Sequence, residues 1–378
     1  MGILIAFAFL LSGCDDPSNV GQGLLDAQSN DTEVIRLEDG TVSASDRGDL
    51  TGGNSVIGST RALFGQVNDP VIGSFASHGF VDFVPASQLE SGFINGTVSW
   101  AGLDLNIDYQ YGDTTQAVVF DLYTVTDAWA STGLRADSTV NLGRIVASYE
   151  MPATSGVSSI DLPADWVAEF DAQLRSSEFS DTFHGFGLLP RTGDAVLGIR
   201  FSETELRASA VPGDTVSYPL SKVGTLTDDS GVQAPAGHVM LRDGSSKGLD
   251  LRFQLEGGSL DESLIHRVIL KMQSADWSGS YPAGFARPLP GVLTMEAVSA
   301  DGDTRLGIAE VAINLDGAFI VDNTTLTNVF QSANLGKSVL DRFEFSFPAA
   351  QSGVGFLSFP MTEIDPSIEI LLTRTPIN

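Results

Sequence analysis

The chain has 378 residues, 42% of them hydrophobic, with Gly 40 and Pro 16; that is more than one small core needs, and it is rich in turn formers. Asp and Glu number 48 against 20 Lys and Arg, giving a formal net charge of −28. Such a surface repels nucleic acid and anionic lipid, so neither is expected as a direct partner. The single cysteine excludes an internal disulfide.

The N-terminus is apolar from Ile3 to Leu11 and then reads Leu11-Ser12-Gly13-Cys14. The apolar run is too short for a stable bilayer span and has the length of a signal h-region. Its end resembles a bacterial lipobox, so residues 1–14 are read as a lipoprotein signal with Cys14 as the lipidated residue. No Lys or Arg precedes the run, which departs from the usual pattern. Asp15 and Asp16 follow; acidic residues there fit either retention at an inner membrane or export to the outer surface. Residues 15–31 are polar and aperiodic and read as a flexible tether. The expected location is the outer membrane, lipid-anchored and surface-exposed, with the periplasmic face as the alternative.

Beyond the tether, strand signals dominate. In "FGQVNDPVIGSF" (64–75), Asn68-Asp69-Pro70 is a turn former between two apolar stretches, and Gly73 frees the exit. The segment "LDLNIDYQY" alternates, with Leu103, Leu105, Ile107, Tyr109 and Tyr111 on one face and Asp104, Asn106, Asp108 and Gln110 on the other. That period of two marks a strand with one buried face. "AVVFDLYTV", "LDLRFQL", "GVLTMEAV" and "SIEILLT" also read as strands. Two short helices are predicted: one with a Trp166, Val167, Phe170 and Leu174 stripe, one with Leu326, Val329 and Phe330.

The two halves resemble each other. "FHGFGLLP" and "VLGIRF" match "LDRFEFSFP" and "VGFLSF", and "DTEVIRLEDGTV" from Asp31 has a counterpart in "DTVSYPLSKVGTL" from Asp214. The chain is therefore expected to be all-β: two tandem antiparallel, jelly-roll-like β-sandwich domains at 32–212 and 213–378, each with a short helix.

Chemistry is sparse. His78, His184, His238 and His266 are widely spaced and form no metal-ligand motif. "LGKS" at Leu335–Ser338 lacks the first glycine of a phosphate loop, and "DLNID" lacks the glycine of a calcium loop. "SADGDT" (Ser299–Thr304) reads as a turn. No metal or other cofactor is expected, and no catalytic residue is assigned. Aromatics are the better lead. Trp277 and Tyr281 fall in a Ser- and Gly-rich loop after a strand, and Tyr111 takes the equivalent post-strand position in the first half. Rings so placed can stack on the C–H face of a sugar. Trp166 belongs to a helix stripe, and Trp100 and Trp129 read as packed.

With the lipobox, the tandem strands and the stretch from Leu63-Phe64-Gly65 through Asn68-Asp69-Pro70-Val71-Ile72-Gly73, the chain resembles an uncharacterised family of Bacteroidota surface lipoproteins. Each half also resembles a DNRLRE-type β-sandwich module, through Ile265–Met272 and, loosely, Pro366–Leu372. The first half lacks the module's Arg-Ala pair, having Thr97-Val98-Ser99-Trp100 there. The resemblance implies a non-enzymatic surface lipoprotein with no catalytic residues to carry over. The expected function is adhesion through an extracellular polysaccharide or matrix. The alternative is a structural envelope lipoprotein, or an accessory subunit of a surface or secretion assembly.

Overall fold

The computed structural model describes residues 32–376 apart from 38–39, 47–58, 131–133, 135–137, 212–214, 246, 254–262, 338–339, 349–350 and 362–367. Cys14 and the 15–31 tether lie outside the described residues. The fold is all-β, its strands paired antiparallel into several sheets, with few helices. The alternating segments form strands where the periodicity puts them: "AVVFDLYTV" is Ala117–Val125, and "LDLNIDYQY" lies within Thr97–Asp113. Both predicted helices form, as Ala164–Leu174 and Thr324–Asn334, with Trp166, Val167 and Leu174 buried in one and Leu326, Val329 and Phe330 in the other. Asn323 caps the second by accepting from the Leu326 amide at 2.8 Å. The first half adds two further single-turn helices, Ser91–Ile94 and Phe179–Thr182.

In the first strand assembly the pairings close a ring. It runs from β12 (Thr215–Val232) through β11 (Glu205–Val211), β5 (Thr97–Asp113), β10 (Ala195–Arg200), β3 (Arg61–Asp69) and β4 (Gly73–Phe83), and returns to β12. From β4 the sheet continues through β9 (Phe186–Thr192) and β6 (Ala117–Val125) to β7 (Leu142–Pro152), while β8 (Gly156–Asp161) pairs with β5. Ring closure removes edges that would otherwise offer unpaired backbone groups. The second assembly has one sheet of β1 (Glu33–Leu37), β22 (Ile368–Pro376), β15 (Ser263–Gln273) and β19 (Ala318–Val321). Another holds β18 (Arg305–Ala312), β17 (Val292–Ser299), β20 (Leu340–Ser346), β14 (Lys247–Phe253) and β2 (Gly40–Asp46). A short ladder joins β13 (His238–Arg242) to β21 (Phe356–Pro360). The larger two sheets share an apolar core, for example Val268, Leu270 and Ile370 with Leu251, Met295 and Phe345.

The internal duplication appears in the pairings themselves. The run β12-β11-β5-β8 is matched by β1-β22-β15-β19, and β7-β6-β9-β4-β12 by β18-β17-β20-β14-β2. β12 serves both of its runs, with Thr215–Pro219 on β11 and Leu220–Val232 on β4. In the second assembly those two tasks fall to β1 on β22 and β2 on β14. Each repeat's leading strands thus complete the other repeat's sheets: residues 33–37 and 40–46 pair with the C-terminal half, and residues 215–232 with the N-terminal half. The strands on either side of the expected boundary between 212 and 213 share a sheet, β11 pairing with β12. Periodicity reports which face a strand buries and is silent on which neighbour it pairs with.

A third apolar cluster joins the assemblies. Leu63, Val67, Ile72, Phe75, Tyr111 and Val196 of the first meet Val354 and Phe356 of the second. Around it Thr60 donates its amide to the Gln351 carbonyl at 2.9 Å, Arg61 donates to the Ser352 carbonyl at 2.9 Å, and the Val354 amide donates to the Tyr109 hydroxyl at 2.9 Å.

Candidate functional site at the junction

The turn after β3 builds the floor of the junction. Asp69 ends β3 and is 2% exposed. Its carboxylate accepts the Val71 and Ile72 amides at 2.7 and 3.0 Å, which fixes the turn through Pro70. The same carboxylate accepts the Tyr111 hydroxyl at 2.6 Å and the Tyr281 hydroxyl at 3.3 Å. "FGQVNDPVIGSF" is therefore a strand-connecting turn, and its acid also ties together residues from both halves of the chain.

The loop carrying Trp277 and Tyr281 leaves β15 after Gln273. The Asp276 side chain accepts the Ser278 amide at 2.8 Å and starts a single 3₁₀ turn, Ser278–Ser280. Hydrogen bonds from Ser278 hold the Asp276 carboxyl below the usual carboxylate range. Gly284, at φ 88°, lets the chain turn into a two-residue strand, β16 (Phe285–Ala286), which pairs with Asp113 and Gly112 of β5. Thr114 adds its amide and hydroxyl to the Gly284 carbonyl at 3.0 and 2.8 Å. The loop is thus pinned to the opposite assembly.

Beside it opens a cleft of about 850 Å³, whose lining includes Gln273, Asp276, Tyr281, Phe285, Arg287 and Asp316. Leu315 stands fully exposed on its rim. The Tyr281 ring packs at 4.8 Å from Phe285. The Arg287 guanidinium lies 4.3 Å from the Phe356 ring centroid and 5.5 Å from that of Tyr281. It donates to the Phe356 carbonyl at 3.0 Å. Burial raises the Tyr281 hydroxyl well above its ordinary pKa, so it stays protonated and donates to Asp69.

The three aromatics expected to bind ligand are brought into one neighbourhood, in three different roles. Tyr111 is inside β5 and has no exposed surface, so it offers no face to a ligand; the placement after a strand is corrected to a buried position on the alternating face. Its ring packs at 5.7 Å from Phe75 and 5.8 Å from Phe285. Burial, then the neighbouring Asp69, raises its hydroxyl far above the ordinary phenol value. Trp277 is half-buried, donating its indole N–H to Ser358 Oγ at 2.8 Å with its ring against His238, and it supports the loop outside the cleft lining. Tyr281 is the one of the three that lines the cleft.

Sequence reasoning missed Asp69 and Arg287. The turn chemistry of Asp69 was legible; its long-range partners Tyr111 and Tyr281 were not. Elsewhere, Trp166 and Trp129 are packed as expected, at 0% and 8% exposure. The polar face assigned to β5 is partly covered, since Asn106 is buried and donates to Glu203 at 2.7 Å. In the Ser299–Thr304 turn, Asp301 accepts from Ser299 Oγ and the Asp303 amide, so local donors hold that carboxylate. Among the described residues no group of three or more His, Cys, Asp and Glu is placed to hold a metal ion. Among them, too, no helix is long and apolar enough to cross a membrane.

No family model matches the chain. No curated protein matches it either. Among solved structures, one likeness is to an inferred secreted protein of Parabacteroides distasonis, at 9% identity, covering 90% of this chain and 99% of that one, with a TM-score of 0.25. Two others are C-terminal domains of streptococcal antigen I/II-family proteins, AspA of Streptococcus pyogenes and BspA of Streptococcus agalactiae. Both are 9% identical over 90% of this chain and cover 92% and 91% of theirs, with TM-scores of 0.17 and 0.16. Scores this low carry no functional argument.

Proposed function

We propose that the protein is a non-enzymatic cell-surface lipoprotein, anchored through Cys14, that binds an extracellular polysaccharide or matrix in the junction cleft. The observation that carries this reading is the lining of the cleft. An aromatic pair, Tyr281 and Phe285, stands with an amide, two carboxylates and a guanidinium. Flat apolar rings suit the C–H face of a pyranose, and short polar side chains suit its hydroxyls. The scaffold is fixed before any ligand arrives, because the loop is tied to the first assembly through β16 and Asp69 and to the second through Trp277 and Ser358. Preorganisation of that kind reduces the ordering cost of binding.

The test is a glycan array with the soluble 32–378 fragment beside a Ser278→Trp variant. Ser278 is exposed and lines the cleft, so the new ring fills space without touching the core. Loss of glycan retention at an unchanged melting temperature supports the site. Retention of no glycan by the parent fragment sinks the reading. The anchor is tested separately: Cys14→Ala should release the protein from the membrane fraction, and continued sedimentation with membranes would place the anchor elsewhere.

A further inference from the structure

From the position of Arg287 in this cleft we infer that the preferred ligand is a sugar chain bearing acidic substituents at intervals. The inference rests on the saccharide reading of the site and names the ligand class. Arg287 lines the cleft and forms no ion pair among the described residues, in a chain with 48 acidic side chains. Most described arginines do find a carboxylate: Arg61 bonds Asp108, Arg207 bonds Asp104, and Arg305 bonds Glu296 and Glu344. One of the five guanidinium N–H groups goes to the Phe356 carbonyl, and the buried Nε–H has no acceptor among the described residues. The Phe356 and Tyr281 rings hold the guanidinium at centroid distances of 4.3 and 5.5 Å. A planar guanidinium held against two rings, with no ion pair among the described residues, is suited to a carboxylate or a sulfate ester.

The carboxylates narrow the class further. Asp276 and Asp316 line the same cleft and are exposed. They can accept sugar hydroxyls, and with the net charge of −28 they repel a dense polyanion. Isolated acidic groups on an otherwise neutral chain satisfy both conditions.

The experiment measures binding by the full-length protein to two pairs of probes: glucuronoxylan oligosaccharides beside their carboxyl-reduced form, and carrageenan oligosaccharides beside their desulfated form. Dextran sulfate serves as the dense polyanion. At least one acidic probe should bind about tenfold tighter than its neutral partner, and tighter than dextran sulfate. The pair that shows the difference identifies carboxylate or sulfate. Arg287→Gln should erase that difference. Arg287 also packs at the junction, so its melting temperature is measured, and a second variant guards against misfolding. Asp276→Asn with Asp316→Asn keeps the side-chain oxygens that accept the Ser278 and Ala318 amides, and it should tighten acidic probes about threefold while leaving neutral ones unchanged. Equal binding of acidic and neutral partners by the wild type overturns this inference and leaves the saccharide reading standing. An acidic preference that survives in folded Arg287→Gln, or is unmoved by the double Asn variant, also overturns it. Retention of none of the probes overturns this inference, and silence across the glycan array overturns the saccharide reading as well.

Discussion

Asp69 concentrates much of the junction in one side chain. Four donors converge on it from the turn, from β5 and from the Tyr281 loop. Asp69→Ala leaves two amides and two phenols without their acceptor in a buried place, and should cost about 3 kcal/mol or more in urea unfolding. Asp69→Asn keeps one acceptor and should cost less. Equal stability of Asp69→Ala and wild type would show that solvent reaches these donors. The tyrosines set a second expectation. Burial raises the hydroxyls of Tyr109, Tyr111, Tyr218 and Tyr281 above the phenol value of about 10, and that of Tyr149 to about 12. A raised folded pKa means the unfolded chain releases these protons first. The stability they contribute is complete below pH about 10 and is lost as pH rises beyond it. Phenolate absorbance should therefore lag that of free tyrosine and then rise together with loss of the β-sheet circular dichroism signal. Smooth titration of these five tyrosines near pH 10 with the sheets intact would contradict the buried arrangement.

At the scale of elements, the sequence carried the strands and helices well, because burial of one face imposes a period that local inspection can read. Leu249 and Leu251 of β14 and Leu103, Leu105 and Ile107 of β5 are buried as their alternation requires. The partners of those strands were not legible. β2 pairs with β14 across some two hundred residues, and nothing in "GTVSASD" names that partner. The site suffered for the same reason. Tyr111 could be placed on an apolar face, but its contact with Phe285 depends on β16 joining β5. Arg287 stands out only when its surroundings show that it forms no ion pair among the described residues. Close approach between strands is also a tertiary fact with a local trace. Gly65 has φ 126°, and a Cβ there would lie 2.2 Å from the Ala195 carbonyl oxygen on β10. Gly65→Ala should push β3 and β10 apart and cost about 2–4 kcal/mol, measured by chemical denaturation. A neutral substitution would mean that the two strands have slack where the register shows none.

For the whole molecule, the exchanged leading strands make a claim about cooperativity. Residues 33–37 and 40–46 belong to the first repeat in sequence and to the second assembly in space, while 215–232 do the reverse. The third apolar cluster adds contacts between the assemblies but does not interleave the chains. Suppose a specific protease site is inserted between Val211 and Thr215 and the chain is cut there. Two separately closed domains would be held only by the cluster, the short β16–β5 ladder and the hydrogen bonds around them, and should part on dilution or in moderate denaturant. The observed pairing predicts otherwise. Each fragment has a strand hydrogen-bonded along its length within the other's sheets, and removing it would expose unpaired backbone in β22, β14, β11 and β4. The cut protein should therefore elute at its uncut size, unfold in one transition, and separate only in denaturant. Elution as two folded fragments would show that the leading strands are dispensable and that the repeats are independent domains after all.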